Sequence, residues 1–98
     1  MDLNNNINLA KEWLLDSGIQ NLDGEHKGAF NSWYDINKNG YEYAYSEITG
    51  YGISTLIFFY NLSKDNLLLE RAKLAADWLM NKAQHKSGGI LTRYFYDE

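Results

Sequence analysis

Ninety-eight residues make at most one domain, and a chain that is 45% hydrophobic and 15% aromatic has the composition of a packed protein, not a disordered one. A net charge of −4 and a pI near 5.0, with no basic cluster, argue against nucleic acid or an anionic membrane as the main partner. Cysteine is absent, so neither a disulfide framework nor a thiolate site enters the reading.

The segment from Met1 to Trp13 lacks the basic start and apolar run of a signal peptide. Ser54 to Tyr60 is apolar but far shorter than the roughly 20 residues a membrane helix needs, so the expectation is a soluble, cytoplasmic protein without a membrane partner. Leu3, Ile7, Ala10 and Leu14 fall at helical spacing, with Trp13 widening the stripe and Gly18 placed as a C-cap. This predicts a first helix over residues 3–17. A polar loop follows. Phe30, Ser32, Tyr34 and Ile36 then alternate with Trp33 and Asp35, the turn Asn37-Lys38-Asn39-Gly40 comes next, and Tyr41, Tyr43 and Tyr45 alternate after it. The pattern predicts an aromatic β-hairpin closing a loop region over residues 18–45.

At Ser46 the pattern changes into a run, residues 46–62, that is apolar almost all round and reads as a buried helix. Ser46 is placed to act as N-cap, and Glu47 stands where the helix dipole favours a negative charge. Glu47, Tyr51, Ser54 and Phe58 follow at spacings of four, three and four and share one face. That face reads as the wall of a pocket. A third helix is predicted over residues 66–84, with Leu67, Leu68, Ala72, Ala75, Trp78 and Leu79 on one side and charged residues on the other.

The first helix returns in the third. Leu9 to Asp16 aligns with Leu74 to Asn81 at a constant offset of 65 residues, Trp13 on Trp78, and in the same register Gly24 and Phe30 meet Gly89 and Phe95. An internal repeat of outer helix, long loop with hairpin, inner helix and short turn is the better explanation, with residues 88–98 opening a second hairpin. Two outer helices cannot surround an all-apolar inner one. The expectation is therefore the first part of a larger repeat protein, or a segment that associates with copies of itself.

Gly28 to Asp35, Tyr45 to Tyr51 and Leu69 to Leu79 resemble the aromatic loop, inner-helix opening and outer helix of one segment of the α/α toroids. That group includes six-hairpin glycosidases, glucuronyl C5-epimerase-like and N-acylglucosamine 2-epimerase-like enzymes, and terpenoid cyclases. Closing a ring of six such units takes roughly six times the repeat period, so the resemblance is to an amino-terminal portion. It implies a mainly α fold of helical hairpins and a glycan-processing activity of glycosidase, lyase or epimerase type, with no cofactor. No Asp-rich cluster suited to binding a diphosphate through Mg²⁺ is present.

Function concentrates on the elaborated loops of a rigid scaffold, which puts the candidate site at the hairpin and the inner helix's amino terminus. Glu47 and Asp35 are the candidate catalytic carboxylates; Trp33, Tyr34, Tyr45 and Tyr51 are the candidate substrate-binding rings. Aromatic rings stack on the C–H faces of sugars while carboxylates accept hydroxyl hydrogen bonds or act as acid and base. The rival roles are a helix-start acid for Glu47, a turn acid for Asp35 and plain packing for the tyrosines. Asp35 to Gly40 matches the opening D-x-N-x-N-G of a calcium loop, but Ser46 holds the twelfth position and Glu47 falls one residue late. His26 and His85 stand in polar loops with no second ligand nearby, so no metal site is expected. The alternative function is a non-catalytic helical-repeat segment that binds a glycan or a protein, or associates with itself.

Overall fold

A two-residue turn sets the architecture. Lys64 adopts a left-handed conformation (φ +58°), its N–H donates to Tyr60 O at 2.7 Å, and the Asp65 carboxylate accepts from Leu67 N at 3.0 Å. One helix is thus closed and the next capped within two residues, which forces them antiparallel. The computed structural model describes residues 3–96. Met1, Asp2, Asp97 and Glu98 lie outside the described residues, and with them the first two positions of the amino-terminal segment and the last two of the 88–98 segment.

The elements run α1 (Leu3–Asp16), β1 (Tyr34–Asp35), β2 (Gly40–Tyr41), β3 (Tyr43–Tyr45), α2 (Ser46–Ser63), α3 (Asn66–Trp78) and β4 (Arg93–Phe95). A single π turn, Leu79–Ala83, prolongs α3. The protein is mainly helical with a small antiparallel β-hairpin. Leu56 of α2 and Leu68 of α3 are fully buried, and Ala72 and Ala75 keep the α3 side thin enough for close approach. Leu14, Leu15 and Phe30 complete this core. A second cluster joins Ala29, Ala44, Trp78 and Ala83, with Leu79 and Tyr94 packed against it. Among the described residues no helix is long and apolar enough to cross a membrane.

Four expectations are corrected. First, α2 is buried on one face only. Ser46, Thr49, Gly52 and Leu56 are covered, while Glu47, Tyr51, Ser54, Phe58 and Leu62 face outward. Composition made the helix apolar all round, but two neighbouring helices cover about half a cylinder. Second, Tyr45 and not Ser46 is the N-cap, without a side-chain cap. The Ser46 hydroxyl instead donates to Leu91 O, and its N–H donates to Thr92 O at 2.8 Å, which ties the helix start to the carboxy-terminal strand.

Third, the hairpin does not stand alone. Tyr34–Asp35 and Gly40–Tyr41 pair across residues 36–39, and the same two arms stay joined further back, where Asn31 bridges Ala44, Ser32 N donates to Tyr43 O at 2.9 Å and Tyr45 N donates to Phe30 O at 2.9 Å. Tyr43, Ala44 and Tyr45 also pair antiparallel with Phe95, Tyr94 and Arg93, so β3 lies between the first arm of the hairpin and β4. Fourth, the repeat changes register after its helix. Gln20 bridges Phe30 ten positions on while Gln84 bridges Ile90 only six positions on, and left-handed Gly24 (φ +79°) answers to left-handed Gly88 (φ +95°), one residue off the 65-residue offset. Phe30 is buried in the core whereas Phe95 lies half-exposed on β4. Even the shared tryptophans differ: Trp78 is 3% exposed and Trp13 is 59% exposed. The stripe on α1 is accordingly bare at Leu3 and Ala10 and half-buried at Ile7; Lys11 Nζ reaches Asp65 Oδ2 at 3.6 Å, but close packing begins only at the last turn. There Leu14 and Leu15 enter the core and Arg71 Nη1 donates to Leu15 O at 3.0 Å.

Candidate functional site

The β3–β4 ladder and the first turn of α2 build the site together. Because Tyr45 stands directly across from Arg93, the guanidinium lies over two rings, 5.6 Å from the Tyr45 centroid and 5.4 Å from that of Tyr43. Tyr43, buried, meets Trp33 edge-on at 5.3 Å, Tyr45 at 5.2 Å and Phe95 at 4.8 Å. The Tyr45 hydroxyl donates to Glu47 Oε2 at 3.2 Å. An aromatic strip therefore runs from exposed Trp33 through Tyr43 to Tyr45, whose hydroxyl ends on the Glu47 carboxylate and whose ring lies under the Arg93 guanidinium.

Glu47 borders an open cleft of about 410 Å³ whose other walls are Ser46, Gly50, Leu79, Ile90 and Thr92. It is the cleft's only carboxylate among the described residues. Arg93 is held above the ordinary arginine pKa, first by its hydrogen bond with Tyr45 and then by the neighbouring phenols and Glu47. The pair thus offers a fixed donor and a carboxylate acceptor at one end of a stacking surface.

Not every sequence candidate joins this group. Asp35 closes its own hairpin: its Oδ1 accepts from Asn37 N at 2.9 Å and Lys38 N at 3.3 Å. The Lys38 amide is the main cause holding its pKa below the usual carboxylate range, helped by a hydrogen bond with Glu42. Tyr34 sits on the same hairpin, edge-on to Tyr41 at 5.2 Å and donating to Asn39 Oδ1. Tyr51 lies one turn beyond Glu47 on the α1 side of α2, in a separate groove of about 270 Å³ with Trp13, Phe30, Ile48 and Thr55. The structure brings together Trp33, Tyr45 and Glu47, and leaves Tyr34, Asp35 and Tyr51 apart from them.

Arg93 is the residue that sequence reasoning missed. Its signal was the run Tyr94-Phe95-Tyr96 directly after it, a second aromatic strand whose partner was not readable. His26, placed in a polar loop from the sequence, is also packed, 5.0 Å from Tyr94 and accepting at Nδ1 from Trp78 Nε1 at 3.3 Å. No group of three or more His, Cys, Asp or Glu that fits a metal ion exists among the described residues. Comparison with known proteins brings no match: no family model, no curated protein and no solved structure matches the chain.

Proposed function

We propose that this chain is a segment of an α/α-toroid protein and binds a glycan in the cleft beside Glu47. The observation that carries the reading is the grouping of Tyr45, Glu47 and Arg93 at the amino terminus of α2, with Trp33 leading up to it. Three helices follow one another, with the two-residue turn between α2 and α3 at one end and the elaborated loops at the other, the order that an outer, inner and outer helix of such a ring would have; the cleft is at the loop end. Sugar C–H faces stack on the exposed rings, ring hydroxyls donate to the Glu47 carboxylate, and Arg93 donates to sugar oxygens.

Bond cleavage, elimination or epimerisation needs a second acid–base group. Asp35 is committed to its turn, so Glu47 is the carboxylate that would serve as acid or base once further segments of a ring supply its counterpart. The exposed strip of α2, Tyr51, Phe58 and Leu62, favours a second property, association of the chain with a copy of itself.

Titration of the chain with a panel of neutral and acidic oligosaccharides, followed by NMR of the aromatic and arginine side chains, tests the reading. Binding shifts the resonances of Trp33, Tyr45 and Arg93 together. Glu47→Gln and Arg93→Ala each weaken it by about tenfold, the size of one lost charge-assisted hydrogen bond, and Asp35→Asn leaves it unchanged. If Glu47→Gln binds every sugar as tightly as the parent chain does, the site assignment is wrong.

A further inference from the structure

We infer that the outward face of α2 is the interface of a two-fold homodimer, formed by packing α2 antiparallel against α2 of a second copy about an axis near Ser54 and Thr55. The face is apolar and unpartnered. Tyr51 is 64% exposed, Phe58 56% and Leu62 55%, and Trp13 of α1 continues the strip. The repeat shows that Trp13 is a residue for covering: its counterpart Trp78 lies beneath His26 and Tyr94 at ring distances of 6.1 Å and 5.6 Å.

Three features select a second copy as the occupant. The first is order along the helix. Tyr51, Ser54, Thr55 and Phe58 read large, small, small, large in either direction, so a helix turned end for end sets Tyr51 against Phe58 of the second copy at both ends. The small residues at the centre let the backbones approach, and Thr55 Oγ1 already donates to Tyr51 O at 3.0 Å, so its burial leaves that donor satisfied.

The second feature is charge. Glu47 is the only charged side chain among the 18 residues of α2, and the same two-fold sets it opposite Leu62 of the second copy at the ends of the contact, so the two copies meet without like-charge opposition. Antiparallel packing also lays the two helix dipoles side by side in opposite directions, each positive end beside the other's negative end.

The third is area. Trp13, Tyr51, Phe58 and Leu62, with the partly exposed Ile48 beside them, present roughly 500 Å² of apolar surface, against the about 800 Å² per partner that a standard interface buries. Polar rim residues supply the remainder. A patch of this size is at the upper end of what monomers leave bare.

The chain has no cysteine, so one introduced thiol reports the geometry directly. Sedimentation velocity across the micromolar range is expected to show a monomer–dimer equilibrium, and Phe58→Glu to weaken it by at least about a hundredfold while the circular dichroism spectrum is kept. Ser54→Cys, near the axis, is expected to oxidise rapidly to a covalent dimer; Asp77→Cys, on the outer face of α3, is expected not to. A parent chain that stays monomeric throughout overturns the inference. So does an open or larger assembly, which means a heterologous contact, and so does a dimer that Ser54→Cys fails to cross-link, which means another face.

Discussion

His26 sits among three aromatic rings, 5.0 Å from Tyr94, 5.9 Å from Tyr96 and 6.1 Å from Trp78. Its Nδ1 accepts the indole N–H of Trp78, so the folded protein holds that nitrogen unprotonated. Burial is the largest cause lowering its pKa below 6.5; Glu25 opposes this and Lys82 adds to it. A depressed folded-state pKa means that the unfolded chain binds the proton more tightly. The contribution of this residue to stability is therefore present above the unfolded value and lost as pH falls through the folded one. Melting temperatures are expected to drop between about pH 7 and pH 5, and the part of that drop due to His26 is expected to vanish in His26→Phe. An identical slope in the variant would assign it to carboxylates elsewhere. Little of this was legible from sequence, since two of the rings that surround His26 lie about 70 residues along the chain and only the fold brings them near.

At the scale of elements, the loop between α1 and β1 is fastened to α3 through backbone. Gln20 Nε2 donates to Gly28 O at 3.0 Å and to Arg71 O at 2.9 Å, bridging loop and helix. Gly28 has φ +99°, and a Cβ there would stand 2.1 Å from Leu74 O. Gly28→Ala therefore meets both left-handed strain and a clash with helix backbone, which cannot swing aside. The expected loss is about 2–4 kcal/mol, a lowering of the melting temperature of roughly 10 °C or more in a domain this small. Gly24 makes the comparison fair: its φ is +79° but its Cβ direction is open, so Gly24→Ala should cost only about 1 kcal/mol. Equal losses at the two positions would remove the close approach from the explanation. The three helices were legible because hydrophobic period and turn residues are local. The pairing of β3 back onto residues 30–32 was legible for the same reason, but its second partner, β4, was not, because a three-residue strand carries too little pattern to announce a neighbour far along the chain.

The whole molecule measures 45 × 34 × 19 Å, and its thin dimension is about two helices deep. Such a slab gives an apolar helix neighbours on one side only, which explains how α2 can be rich in Ile, Leu and Phe and still expose half its circumference. Apolarity reports what a helix requires; coverage reports what the fold supplies, and the Glu47–Tyr51–Phe58 face was readable as a shared surface but not as an uncovered one. If the two-fold packing supplies the missing side, stability must depend on protein concentration. Folded dimer opposes unfolding by mass action, so a hundredfold rise in concentration stabilises by up to about 2.7 kcal/mol per dimer, or about 1.4 kcal/mol per chain. The melting temperature of the parent chain should climb by several degrees over that range, and that of Phe58→Glu should stay level. Were the parent's melting temperature also level, the α2 face would be bare in solution as well, and the slab would owe its stability to the Leu56–Leu68 core alone.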